Sequence, residues 1–223
     1  PVTVRVRVTD PAFGQVSITE LTFDATNWNI AQTVAFAPQR DYVVAGIRTA
    51  VIDVMAVVST DPFYAALTTA SLQQAVSDVD TFNVLTVDTI NDLVDGDTSS
   101  VAALAASRGT DGKISLREAL LAENATGSSG GVADVIRFDL PTNGTRTIQL
   151  LSPLPSIVRQ LFIDGFSQPL PFASAGNVAH VGVSGILAGA GNGLTLAPGA
   201  AGSTIQGLSI TNFLGAGLVI SAD

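Results

Sequence analysis

No cysteine occurs in the 223 residues, which excludes disulfides, thiolate metal sites and cysteine nucleophiles and leaves the redox compartment unread. One His is too few for a zinc site. Charge is scarce as well. Asp, Glu, Lys and Arg make up 13% of the chain against 47% hydrophobic residues, where a globular domain carries about 25% charged, so neither a disordered chain nor a charged coiled coil fits. What charge there is leans one way: sixteen Asp and three Glu face nine Arg and a single Lys. A net charge of −9 repels polyanions and leaves no basic stripe to release counterions, making nucleic acid and anionic membranes poor partners. Mean hydropathy is +0.43, yet Asn177, Asn192, Pro198 and many glycines interrupt the most apolar windows, and no pure apolar run approaches the roughly 18 residues of a membrane span. The sequence also shows no initiator Met, basic n-region or signal core. It starts at Pro1 inside an alternating pattern and is expected to be an internal piece of a longer chain.

The length suits one large or two small domains, and glycine separates two. Residues 1–85 hold two of the 21 glycines, residues 86–164 hold seven, and residues 165–223 hold twelve. Between Asp164 and Asp223 there is no Asp, Glu, Lys or Arg, and His180 is the only titratable side chain. Such a stretch must satisfy its backbone by pairing with itself.

In Val2–Val8 valine takes every second position, the period of a strand with one buried face. Further apolar runs at 16–23, 32–37, 47–58 and 72–79, separated by turn-prone segments, have the spacing of a small β-sandwich. Trp28 is expected to pack against the sheet edge or core. The run Leu21-Thr22-Phe23-Asp24-Ala25-Thr26-Asn27-Trp28-Asn29-Ile30-Ala31-Gln32-Thr33-Val34, followed by Ser59-Thr60-Asp61-Pro62-Phe63-Tyr64, resembles the Calx-β-like and related immunoglobulin-like modules of large bacterial surface proteins. The resemblance covers about 80 residues and implies one or two further strands ahead of Pro1. Arg40, in Pro38-Gln39-Arg40-Asp41, stands where such modules often carry an acid.

The segment 82–125 opens with a strand, 82–88, and an acidic loop to Asp97. Thr98 or Ser99 can cap a helix running through Ala106, with Gly109 in the left-handed position beyond its end. Ser115 and Glu118 form an S-x-x-E capping box ahead of apolar Leu116, Ala119, Leu120 and Ala122. Gly112, Ile114 and Glu118 also match the glycine, apolar and bidentate positions of an EF-hand loop, but Ser107 and Gly109 at its first and third positions leave half the ligands missing. Ser115-Leu116-Arg117-Glu118-Ala119, with Asn124 after it, is similar to the C-S-L-R-E-A segment that begins many secreted bacterial right-handed parallel β-helices, with Ile114 at the position of the cysteine. That resemblance implies a helical cap followed by stacked coils.

The last segment points the same way from its own pattern. Gly193-Leu194-Thr195-Leu196 recurs 24 residues later as Gly217-Leu218-Val219-Ile220, with Gly207-Leu208-Ser209-Ile210 between. A parallel winding stacks each inward apolar side chain about 4.8 Å above its predecessor. Short strands at 134–138, 146–150, 157–164 and 178–183 would form the earlier coils, and Asn212 would sit at a corner.

Few residues point to chemistry. Asp134, Asp139, Asp164, Arg137, Arg146 and Arg159 fall in the first coils, where surface or corner roles account for them. A carbohydrate lyase or hydrolase needs clustered carboxylates, or calcium with a base, and the coils beyond Gly165 carry none. His180 reads as an exposed or hydrogen-bonded side chain. The acidic loop, with Asp88, Asp92, Asp95 and Asp97, and Asp111 beyond it, offers oxygen ligands to calcium; a solvated loop is the simpler reading.

The expectation is therefore a mainly β protein of two domains. Residues 1–81 form an N-terminally incomplete immunoglobulin-like sandwich, and residues 82–223 a right-handed parallel β-helix with its cap at 82–133 and coils at 134–223, incomplete at the C-terminus. No catalytic residue is assigned. Calcium is the one optional cofactor, with Asp92, Asp95, Asp97 and Asp111 as its candidate ligands. The resemblances imply a structural or adhesive segment of a secreted or surface-anchored bacterial protein, located outside the cell. Expected partners are neighbouring domains of the same chain, further copies, and a surface glycan or protein. The alternatives are the N-terminal part of a carbohydrate-active β-helix enzyme and a self-assembling filament or sheath subunit.

Overall fold

The computed structural model describes residues 1–44, 46–66, 70–78, 80–127, 132–141, 146–169 and 179–221. The chain is mainly β and divides into two compact units, Pro1–Asp80 and Thr81–Asp223.

In the first unit the alternating valines form β1 (Val2–Val8). It lies between β3 (Glu20–Phe23) and β5 (Ile47–Ser59), antiparallel to both, and β6 (Ala70–Ser77) closes the sheet beyond β5. A second, two-stranded antiparallel sheet pairs β2 (Gly14–Val16) with β4 (Phe36–Pro38). The apolar run at 16–23 thus splits into two strands in different sheets, β2 and β3. Asp61 caps a single helical turn, α1 (Pro62–Ala65), by accepting from Phe63 N–H. The core is small: Val6, Leu21 and Ile52, with Val4, Val16, Phe23, Val34 and Phe36 against them. Trp28 does not join it. Its side chain is 71% exposed, because the turn that carries it is braced from below: Asp24 accepts from Thr26 N–H and Oγ–H, and Asn27 donates to the Thr22 carbonyl.

The second unit starts with β7 (Val84–Val87), then two helices. Ser100, not Thr98 or Ser99, caps α2 (Val101–Ala106), accepting from Ala103 N–H at 3.0 Å. The capping box of Ser115 and Glu118 opens α3 (Leu116–Ala125). Thereafter every strand pairing among the described residues is parallel. One sheet stacks β7, β8 (Asp134–Phe138), β10 (Leu161–Asp164) and β13 (Thr204–Gln206); a second stacks β9 (Thr147–Gln149), β11 (Val181–Ser184) and β14 (Leu208–Thr211); a third pairs β12 (Leu194–Leu196) with β15 (Leu218–Ile220), and Ile157 bridges to Leu196. The chain visits the three sheets in a fixed cycle, and the registers align its apolar side chains in columns. Leu85, Ile136, Ile163 and Ile205 form one, and Ile148, Val183 and Ile210 another. The deepest of these have no exposed surface. Burying one such side chain is worth about 1.5–3 kcal/mol, and the columns belong to the one large apolar cluster of this unit.

The run at 157–164 also divides, Ile157 belonging to the third sheet and β10 to the first. Asn212 takes a left-handed conformation with φ 61° and donates to Ser184 Oγ. Residues 79 and 178, at the ends of two expected strands, lie outside the described residues.

Candidate functional site

The acidic loop and the helices above the first coil hold most of the polar side chains that the sequence marks out. Each is engaged by the fold. Arg117 grips Asp92 with two hydrogen bonds, Nε to Oδ1 at 2.9 Å and Nη2 to Oδ2 at 2.7 Å, and donates to the carbonyls of Ser152 and Pro153 at 2.8 Å. Asp92 also accepts from Leu151 N–H. The buried Glu118 carboxylate accepts from the amides of Asp95, Gly96 and Ser115 at 2.8–2.9 Å. Asn124 clamps the strand below, donating to Ser156 O and accepting from Val158 N–H. Ser115, Arg117, Glu118 and Asn124 thereby fasten loop, helix and coil together, while Leu116 and Ala119 are buried.

The candidate calcium ligands make hydrogen bonds within the fold as well. Asp95 accepts from Thr110 N–H, Thr110 Oγ–H and Asp111 N–H, and the Thr110 hydroxyl in particular holds its carboxyl below the ordinary range. Asp97 accepts from Ser99, which lowers it likewise. Asp111 accepts from Lys113 N–H, and Asp88 from Ile114 N–H, with Lys113 Nζ at 3.4 Å. Among the described residues no three of His, Cys, Asp or Glu come together as a metal-binding group. Arg40 pairs with Asp80 in the first unit.

The residues assigned to surface or corner roles separate into two groups. Arg137 and Asp139 are exposed, Arg146 is half-buried, and Asp164 accepts from Gln206 Nε2 at 2.8 Å. His180 stacks edge-on against Phe166, with 5.1 Å between ring centres. Asp134 and Arg159 correct the expectation: both are buried. Arg159 Nη2 donates to Asp134 Oδ2 at 2.5 Å, and its Nη1 donates to the carbonyls of Glu123 and Thr126 at 3.1 Å and lies 3.4 Å from Glu123 Oε2. Asn83 completes the cluster, donating to Asp134 through N–H and Nδ2. Two carboxyl groups thus share one guanidinium out of reach of water. Burial, and next the Asp134 charge, raise the Glu123 carboxyl to about 9. A proton on Glu123 cancels the surplus charge and supplies a donor toward Asp134.

No protein-family model, curated protein or solved structure matches the chain.

Several open grooves occur among the described residues, and two of them are the roomiest of those described. One, in the first unit, measures about 530 Å³ and is lined by Val4, Phe23, Asp24, Trp28 and Tyr64 among others. The other, in the second unit, measures about 480 Å³ and lies between residues 90–93 and the edge of β9 at Thr147, Gln149 and Leu151. The second groove includes Asp92, one of the candidate calcium ligands. The buried cluster was legible: Asp134 shares strand parity with Ile136 and Phe138, Arg159 with Leu161 and Ile163, and Glu123 falls seven positions after Leu116 on the apolar stripe of α3.

Proposed function

We propose that the protein is a structural, adhesive segment of a large secreted or surface-anchored bacterial protein. The first unit is read as an immunoglobulin-like β-sandwich module and the second as a right-handed parallel β-helix under a helical cap. The observation that carries the reading is the fixed three-sheet cycle with its apolar columns. A chain that winds through parallel strands and returns in register has one regular solution, and the hand follows from the near-universal right-handedness of parallel crossovers. Such a winding fills its own interior, so its working parts are the outer faces and edges. Function then lies in presenting a surface to a glycan or protein and gaining reach and repeated contacts.

The test is to incubate the chain with a panel of acidic and neutral polysaccharides and extracellular matrix proteins, following retention and product together. Retention with the polymer left intact is expected. New reducing ends or unsaturated sugar products would replace the scaffold reading with the enzymatic one. Hydrogen exchange tests the fold assignment. Amides of β8, β10 and β11, each between two parallel neighbours, exchange slowest in the second unit, and rapid exchange there would refute the winding.

A further inference from the structure

We propose that the outer edge of β9 accepts an extended peptide as an added strand, seated in the slot between that edge and residues 90–93. Among the described residues β9 is the terminal strand of its sheet, with β11 on one side only. The parallel register fixes which backbone groups are used. Arg146 O accepts from Gly182 N–H and Leu150 N–H donates to Ser184 O, so Ile148 points its N–H and C=O toward β11. The N–H and C=O of Thr147 and Gln149 therefore point the other way, into the slot. The next amide on that side, Leu151 N–H, donates to Asp92 Oδ2 at 2.8 Å. This fixes the direction of the edge and closes one end of the slot.

Four backbone groups remain along the edge, with each N–H and its C=O repeating two residues on. A single ion or hydroxyl satisfies one of them; another extended backbone satisfies all four. The layer above β9 is half-built. β7 covers β8 in the first sheet, but the chain leaves β7 for the acidic loop, and among the described residues no strand lies above β9 in the second. Thr147 to Leu151 spans about 13 Å at roughly 3.3 Å per residue, and the volume of 480 Å³ suits a segment of about four residues. Leu93 and Leu151, both more than half exposed, flank the closed end and favour an apolar residue there. Asn91, Thr147 and Gln149 line the rest and accept polar side chains. With a net charge of −9, the chain disfavours an acidic peptide.

The experiment uses the full chain, labelled for amide exchange, with acetyl-Thr-Val-Thr-Val-Leu-amide as probe. The Thr147 and Gln149 amides are expected to exchange freely alone and at least tenfold more slowly in millimolar peptide, while the Ile148 amide is unchanged. Gln149→Pro removes one outward N–H without breaking a ladder bond and is expected to abolish the protection at Thr147. The same peptide N-methylated at alternate residues, tested on the unaltered chain, is expected not to bind. Absence of protection, or equal binding of the methylated peptide or by Gln149→Pro, overturns the proposal. So does protection that grows with protein concentration alone, which would mark the edge as a contact between copies.

Discussion

Replacing Glu123 by Gln is expected to stabilise the second unit in a pH-dependent way. In the folded chain Glu123 keeps its proton up to about pH 9, against an ordinary value of 4.5. The folded value is the raised one, so the stability tied to the neutral carboxyl is fully present below pH 4.5 and is lost as pH rises toward 9. Across that window the native state holds one proton that the unfolded chain releases, and unfolding becomes easier by about 1.4 kcal/mol per pH unit. Between pH 5 and pH 8 the loss is about 4 kcal/mol. Gln presents the same donor and acceptor to Asp134 and Arg159 and does not titrate. Glu123→Gln should therefore match the parent near pH 4.5 and exceed it by several kcal/mol at pH 8. The lowered groups of the second unit, Asp95 and Asp97, act below this window and do not confuse it. Guanidinium unfolding by far-UV circular dichroism at pH 5, 6.5 and 8 provides the measurement. Trp28 and both tyrosines lie in the first unit, so Trp emission identifies that unit's own transition. A stability difference between variant and parent that is the same at pH 5 and pH 8 would refute the reasoning.

Other substitutions probe separate features. Arg159→Met strands two buried carboxyl groups without their cation and should cost about 3–5 kcal/mol, read from the same unfolding curves; a loss below about 1 kcal/mol would mean that water reaches the cluster. Ser100→Ala should cost about 1 kcal/mol, whereas Thr98→Ala should stay within about 0.5 kcal/mol, a contrast that checks the assignment of the cap. Gly207 adopts φ +68°, and a Cβ there would strike the Phe166 backbone. Gly207→Ala should therefore destabilise the second unit by at least the roughly 1–3 kcal/mol of a strained backbone position, and an unchanged unfolding midpoint would contradict the close approach. Trp28 emission should be quenched readily by a neutral quencher such as acrylamide in the native chain, and a shielded signal would contradict its exposure.

The sequence displayed whatever depends on local periodicity. Alternating valines specified β1, the S-x-x-E run specified the start of α3, and the recurrence of Gly-Leu at 193 and 217 coincides with the register Leu194–Leu218. It displayed less of what depends on neighbours. Trp28 is apolar and its sequence suggests a packed position, but its placement follows from a turn held by Asp24 and Asn27, whose side chains engage local backbone groups. Runs such as 16–23 and 157–164 look continuous because corners between sheets need no distinctive residue. Their charge argues for Asp134 and Arg159 at the surface, yet the alternation around them aims both side chains inward. The slot at β9 has no local signature, since it results from a strand that the acidic loop does not supply.

In the first sheet Ile136 stacks on Ile163, 27 positions on, and Ile163 on Ile205, 42 positions on. In the third sheet Leu194 stacks on Leu218 after 24 positions. Vertical alignment is thus independent of the number of residues between successive strands of a sheet. Such a framework can lengthen its connections one at a time, at an entropic cost that grows only logarithmically with length. New recognition loops can be grafted or evolved at the bends while the apolar columns inside stay as they are.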